Sequence, residues 1–291
     1  MKRELKKIFL QTAPAEQGVT LMEMIVGLLI SATLMLSVID FFTNSTHIAL
    51  DNDVTMKAEE KARAILDLMV FDLRMIGSGM PLLQPDFDYN DTTLGDAPFA
   101  VLSDSDSDTL KFRINESGHS TVLTADFTPS SSNKTFTVLS TDDLYVGDKV
   151  YISDALVGGS DGLYGEITSI SGNDITLKSD YVASDSASFP AGSEVNRVVT
   201  VTYQSPSGSS GITRDSGAGA VSLGPNTWFS VKYYDASGNS MTPPLSDSQR
   251  AEDLLTVEVT VTASGDRLLS DGTTYTAQAK QKVVIRNFKV G

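Results

Sequence analysis

Residues 18–42 read GVTLMEMIVGLLISATLMLSVIDFF, and this stretch decides how the rest of the chain is organised. From Met24 to Ile39 there are 16 residues without a charge. The wider span from Val19 to Phe42 holds 24 residues, interrupted only by Glu23 and Asp40. A helix of about 20 apolar residues crosses a bilayer, so 19–42 is read as a hydrophobic anchor helix. Glu23 is the anomaly in it. A carboxylate that enters hydrocarbon unpaired costs a few kcal/mol, so the residue calls for a partner or a place among the headgroups.

Upstream, Lys2, Arg3, Lys6 and Lys7 form a basic cluster. A secretory signal would continue directly into an apolar run and a small-residue cleavage site. Here only Ile8, Phe9 and Leu10 follow before polar residues and Pro14. The basic residues precede the anchor and the acidic bulk follows it. The positive-inside rule then places the N-terminus in the cytoplasm and the residues beyond about 42 outside.

Downstream, Ala58, Ala62, Ile65, Met69, Leu73 and Ile76 recur at steps of 4, 3, 4, 4 and 3. That is one face of an amphipathic helix. Gly77 and Gly79 end it and Pro81 prevents its resumption. Val19 to Ile76 is 58 residues, or about 87 Å if wholly helical at 1.5 Å per residue. The expectation is a helix with an exposed apolar first half (19–42) and an amphipathic continuation (43–80) lying on a domain.

The remainder, 81–291, reads as β structure. Leu110, Phe112 and Ile114 alternate with Lys111 and Arg113, and Val199, Val201 and Tyr203 with Thr200 and Thr202. Phe229, Val231 and Tyr233 alternate with Ser230 and Lys232, and Val257, Val259 and Val261 with Glu258 and Thr260. Such half-buried alternation suits antiparallel sheet with one face covered. Ser171–Asp174 and Asp235–Asn239 read as turns. Ser-rich stretches at 129–133 and 184–188 bracket a set of short strands, read as a small inserted β-subdomain at about 134–183. The fold class expected is therefore α+β.

Composition narrows the chemistry. The 291 residues (31.1 kDa) favour roughly two domains. The formal charge of −15 argues against a general nucleic-acid binder, which needs clustered Lys and Arg. With no Cys, disulfide scaffolds, thiolate metal sites and Cys nucleophiles are excluded. With two His, His47 and His119, a multi-His metal site is excluded as well. Neither His has Ser and Asp partners in a motif, and both read as surface residues. Asp104, Asp106 and Asp108 carry the first ligand spacing of a calcium loop, but Thr109 and Asn115 stand where Gly and Glu belong, so it reads as an acidic loop. Residues 158–162 and 207–211 read as plain loops, and Trp228 as part of core or sheet packing. No catalytic, cofactor or metal residues are expected.

The string Gly18-Val19-Thr20-Leu21-Met22-Glu23 resembles the type IV prepilin motif. In that family a prepilin peptidase cuts after Gly, the new terminus is N-methylated, and Glu is fifth in the mature chain. Residues 1–18 would then be a leader peptide, Gly18 and Val19 the cleavage site, Val19 the methylated terminus and Glu23 the assembly residue. Val19 departs from the usual Phe. The leader carries four positive and two negative side chains, so its loss takes the side-chain charge from −15 to −17. The family pairs the terminal amine with the Glu of a neighbouring subunit, and mutual neutralisation of two buried charges favours one register.

The segment Leu68–Gly77, with Asp72-Leu73-Arg74, resembles PilW-type minor pilins and GspJ-type pseudopilins, and residues 146–150, 198–203, 212–214 and 284–287 resemble the PilW-type pattern. The resemblance implies a pilin-like fold, a non-enzymatic structural subunit without cofactors, and partners comprising the prepilin peptidase and other minor and major pilins. It implies residence in the inner membrane, then in a pilus or pseudopilus at the cell surface. A pilus-tip or initiation subunit is the first expectation and a pseudopilin of type II secretion the second. A membrane-anchored ligand-binding module is the third.

Overall fold

The computed structural model describes residues 19–80, 95–97, 99–153, 162–183, 187–205 and 211–285. Residues 1–18, expected to be a leader peptide with Gly18 at its end, lie outside the described residues. The chain divides into two compact units, Met1–Asp53 and Val54–Gly291. One helix, α1 (Leu21–Arg74), contributes to both.

Within the first unit, every residue from 19 to 50 is exposed. Within the second, the helix buries Val54, Ala58, Ala62, Ile65, Leu66, Met69, Val70 and Leu73. The apolar steps of three and four place these side chains along one stripe, and burying that stripe stabilises the amphipathic half. The helix ends at Arg74, two residues earlier than the apolar pattern suggests, and turns follow. Ile76 is buried nonetheless, because the turn folds it back onto the same core. Gly79 (φ 77°) approaches so closely that an added Cβ would lie 2.8 Å from Asn115 Cβ.

Fourteen strands follow among the described residues. The larger sheet uses β1 (Thr109–Ile114), β2 (Ser120–Val122), β3 (Thr135–Thr137), β4 (Lys149–Ser153), β5 (Gly162–Ser171), β6 (Asp174–Leu177) and β7 (Val182–Ala183). It is completed by β8 (Glu194–Gln204), β9 (Thr213–Asp215) and β10 (Val221–Ser222). The smaller uses β11 (Thr227–Tyr234), β12 (Ser240–Met241), β13 (Thr256–Ser264) and β14 (Thr276–Val284) in the order β12-β11-β13-β14. The ladders are antiparallel throughout. The expected turns at 171–174 and 235–239 join β5 to β6 and β11 to β12.

β8 organises the larger sheet. Its first half pairs with β2 and β4, with Tyr151 opposite Asn196. Its second half pairs with β1 and β9, with Phe112 opposite Val201 and Tyr203 opposite Arg214. Two cores result. The first unites the helix stripe with Phe112, Tyr203, Phe229, Val259 and Val261. The second joins Leu123, Phe127, Phe136, Val150, Ile175, Phe189 and Val195. It extends beyond the expected 134–183 on both sides, because Phe127 stacks against Phe189 and bridges to it by main-chain hydrogen bonds. The strands of this region are also continuous, through β8, with the rest of the sheet.

Candidate functional site: the helix start and the Asp72 cluster

The start of α1 is tied by a reciprocal pair. Thr20 N donates to Glu23 Oε2 at 2.9 Å, and Thr20 Oγ1 lies 3.0 Å from the same oxygen. In return, Glu23 N donates to Thr20 Oγ1 at 3.3 Å. This is a capping box: a threonine just before the helix and a glutamate three residues on satisfy each other's main-chain N–H groups. The sequence signal for it is the Thr-x-x-Glu spacing of Thr20 and Glu23. Val19 directly precedes this cap and is exposed. Glu23 therefore already has a hydrogen-bonding partner within its own chain.

Three hydroxyls along the apolar stretch and just beyond it are bonded within the helix. Thr33 Oγ1 donates to the Leu29 and Ile30 carbonyls, Ser37 Oγ to that of Thr33, and Thr46 Oγ1 to that of Phe42. Hydroxyls bonded back to the preceding turn expose little hydrogen-bonding capacity to an apolar medium. By length and composition α1 is able to cross a membrane.

A second cluster closes the other end of the helix. Asp72, which a bare helix end would expose, is only 2% exposed. Arg214 Nε donates to Asp72 Oδ2 at 2.8 Å and the Tyr203 hydroxyl donates to the same oxygen at 2.6 Å. Arg214 Nη2 reaches Glu116 Oε1 at 2.7 Å. Burial, reinforced by the bond to Asp72, pushes the Tyr203 hydroxyl well above its ordinary pKa. Burial disfavours the Arg214 charge, but the bonds to Asp72 and Glu116 outweigh it and hold the guanidinium protonated. Three strings singled out in the sequence, 68–77, 198–203 and 212–214, thus meet at one carboxylate.

Two buried arginines were not anticipated. Arg250 binds Asp96 and Asp247, each at 2.7 Å, and stacks 3.8 Å above the Phe99 ring centroid. Burial opposes ionisation of Asp96, but the bonds from Arg250 and Ser103 prevail and hold its pKa below the ordinary carboxylate value. Arg113 donates to the Asp96, Ala97 and Phe99 carbonyls. Together they clamp the segment leading into β1. Arg113 lies in the polar phase of β1, opposite Phe112 and Ile114, so alternation gives no sign that it is buried.

The remaining sequence candidates are separate from these clusters. In the acidic loop, Asp104 pairs with Lys111 at 2.7 Å and Ser105 bonds to the Lys111 main chain. No group of three or more metal-ligating side chains occurs among the described residues. His47 is exposed on α1, and His119 Nδ1 lies 3.9 Å from Asp143. Residues 158–161 and 207–210 fall outside the described residues. Trp228, expected in packing, instead points to the open side of the smaller sheet and is 42% exposed.

No family model, no curated protein and no solved structure matches the chain.

Proposed function

We propose that this chain is a minor type IV pilin of the PilW type, a structural subunit of a pilus tip or initiation complex. The observation that carries the reading is the division of labour along α1: an exposed apolar half opened by Thr20 and Glu23, and a half whose stripe belongs to the core of a β-rich unit. The prepilin-like string around Gly18 supports it.

In this reading the prepilin peptidase cuts between Gly18 and Val19 and the new terminus is methylated. The chain waits in the inner membrane with its β-rich unit outside. On assembly with other pilins, the exposed apolar half packs against neighbouring helices. Glu23 turns from its own cap to the terminal amine of a neighbour, and each charge neutralises the other in a water-poor setting.

The test is intact-mass measurement after co-expression with an active prepilin peptidase. The expected product begins at Val19. A chain that stays full length, or that is cut elsewhere, overturns the reading. Gly18→Val should block the cut.

A further inference from the structure

The open face of the smaller sheet has a chemical character opposite to the rest of the molecule. Alternation along β11 turns Phe229, Val231 and Tyr233 inward and Trp228, Ser230 and Lys232 outward. The ladder register then defines rows across the face. Trp228 stands opposite Thr262, which stands opposite Gln278. Ser230, Thr260 and Lys280 form the next row, and Lys232, Glu258 and Lys282 the third. Glu258 is 3% exposed, covered by Lys280 at 2.9 Å and Lys282 at 3.6 Å. Three ammonium groups against one carboxylate give this face a local charge of +2 in a chain of −15.

Aromatic rings stand at both ends. Trp228 offers part of its indole to solvent. At the other end the Lys282 ammonium sits 4.0 Å from the Tyr234 ring centroid. There the face opens into a groove of about 380 Å³, lined by Lys232, Tyr234, Ser240, Met241, Thr242 and Pro243. Between the two ends lie the small side chains Ser230 and Thr260. Trp228 to Lys232 is four residues of strand, about 13 Å at 3.3 Å per residue.

We propose that this face binds an acidic polysaccharide, with a pyranose ring on Trp228 and uronate carboxylates on Lys232, Lys280 and Lys282. The flat ring matches the apolar face of a sugar while its N–H remains available for a hydroxyl. Ser230, Thr260 and Gln278 supply neutral donors and acceptors for sugar hydroxyls. The segregated positive charge draws a polyanion to this face and away from the others. A nucleic-acid duplex fits less well, because its phosphates, one per about 1.7 Å of axis, need more cations than three. The inference is independent of the pilin reading.

Trp228 is the single tryptophan of the chain, so its fluorescence reports on the site directly. The full chain, held in an uncharged polyoxyethylene-ether detergent, is titrated with sodium polygalacturonate. A saturable change is expected, weakening as salt is raised. Lys232→Gln should bind at least tenfold more weakly with an unchanged circular dichroism spectrum. Trp228→Ala should lose binding to a comparable degree, read by co-sedimentation. No saturable change, or affinity unaffected by both substitutions, overturns the proposal. An equal response to neutral dextran, or to an oligothymidylate of similar charge, overturns it as well.

Discussion

Arg214 Nε lies 2.8 Å from Asp72 Oδ2 across 142 positions of sequence, joining the last turn of the helix to a short strand of the larger sheet. Tyr203, paired in register with Arg214, adds its hydroxyl to the same oxygen. The helix end is thus fixed to two strands through one carboxylate.

Asp72→Ala removes the acceptor and leaves a largely buried guanidinium with only Glu116 and the Ser216 hydroxyl. Breaking such a pair costs about 3–5 kcal/mol. Asp72→Asn should cost less, since an amide oxygen still accepts from Tyr203 or Arg214. The double substitution Asp72→Leu with Arg214→Met should be milder than Asp72→Ala. Urea unfolding followed by intrinsic fluorescence ranks the three; Asp72→Ala at wild-type stability contradicts the role.

The capping box separates two roles of Glu23. Glu23→Gln keeps a side-chain oxygen for Thr20 N–H and so keeps the cap, but removes the charge. Glu23→Ala loses both. Thr20→Ala should loosen the first turn by about 1 kcal/mol without touching the charge. Amide exchange over residues 21–24 should rise for Thr20→Ala and Glu23→Ala and stay unchanged for Glu23→Gln. Crosslinking to other pilins at matched expression should fall for both Glu23 variants. Full assembly of Glu23→Gln means that the charge plays no part between subunits.

Gly211 sits at φ 80° with its absent Cβ directed at the Gly224 carbonyl, where an added carbon would lie 1.8 Å from the oxygen. Gly211→Ala should destabilise the second unit by more than the roughly 1–3 kcal/mol of left-handed strain alone. Gly147 (φ 96°) faces open space, so Gly147→Ala should show the strain without the collision. Thermal unfolding midpoints compare the two directly.

Asp96 has its pKa held below the ordinary carboxylate value in the folded chain. A depressed folded pKa contributes stability that is complete above the unfolded value of about 4 and is lost as pH falls through the folded value. Asp96→Asn should therefore lower stability at pH 7 and flatten its decline below about pH 4. Urea midpoints from pH 7 down to 3 test this; parallel curves for the two proteins count against it.

The helix and several of the longer strands were legible because their signals are local. Steps of three and four set the α1 stripe, and single alternation set β1, β8, β11 and β13. The width of the second core was not legible. Phe127 and Phe189 lie outside the Ser-rich markers and meet only because β8 carries both halves of the sheet. Trp228 falls in the polar phase of β11 with Ser230 and Lys232, and its exposure follows that alternation rather than its apolar side chain.

By itself the sequence determined the exposed apolar helix, its amphipathic continuation and an acidic, cysteine-free β-rich remainder, since each follows from periodicity and composition within a short window. Only the tertiary structure decided that Asp72 is buried against Arg214 and Tyr203, that Arg250 and Arg113 clamp one segment, and that three lysines share the open face with Trp228. Those pairings depend on strand register and on contacts between residues far apart in the chain, and a charge in a linear sequence carries no mark of the partner that folding brings to it.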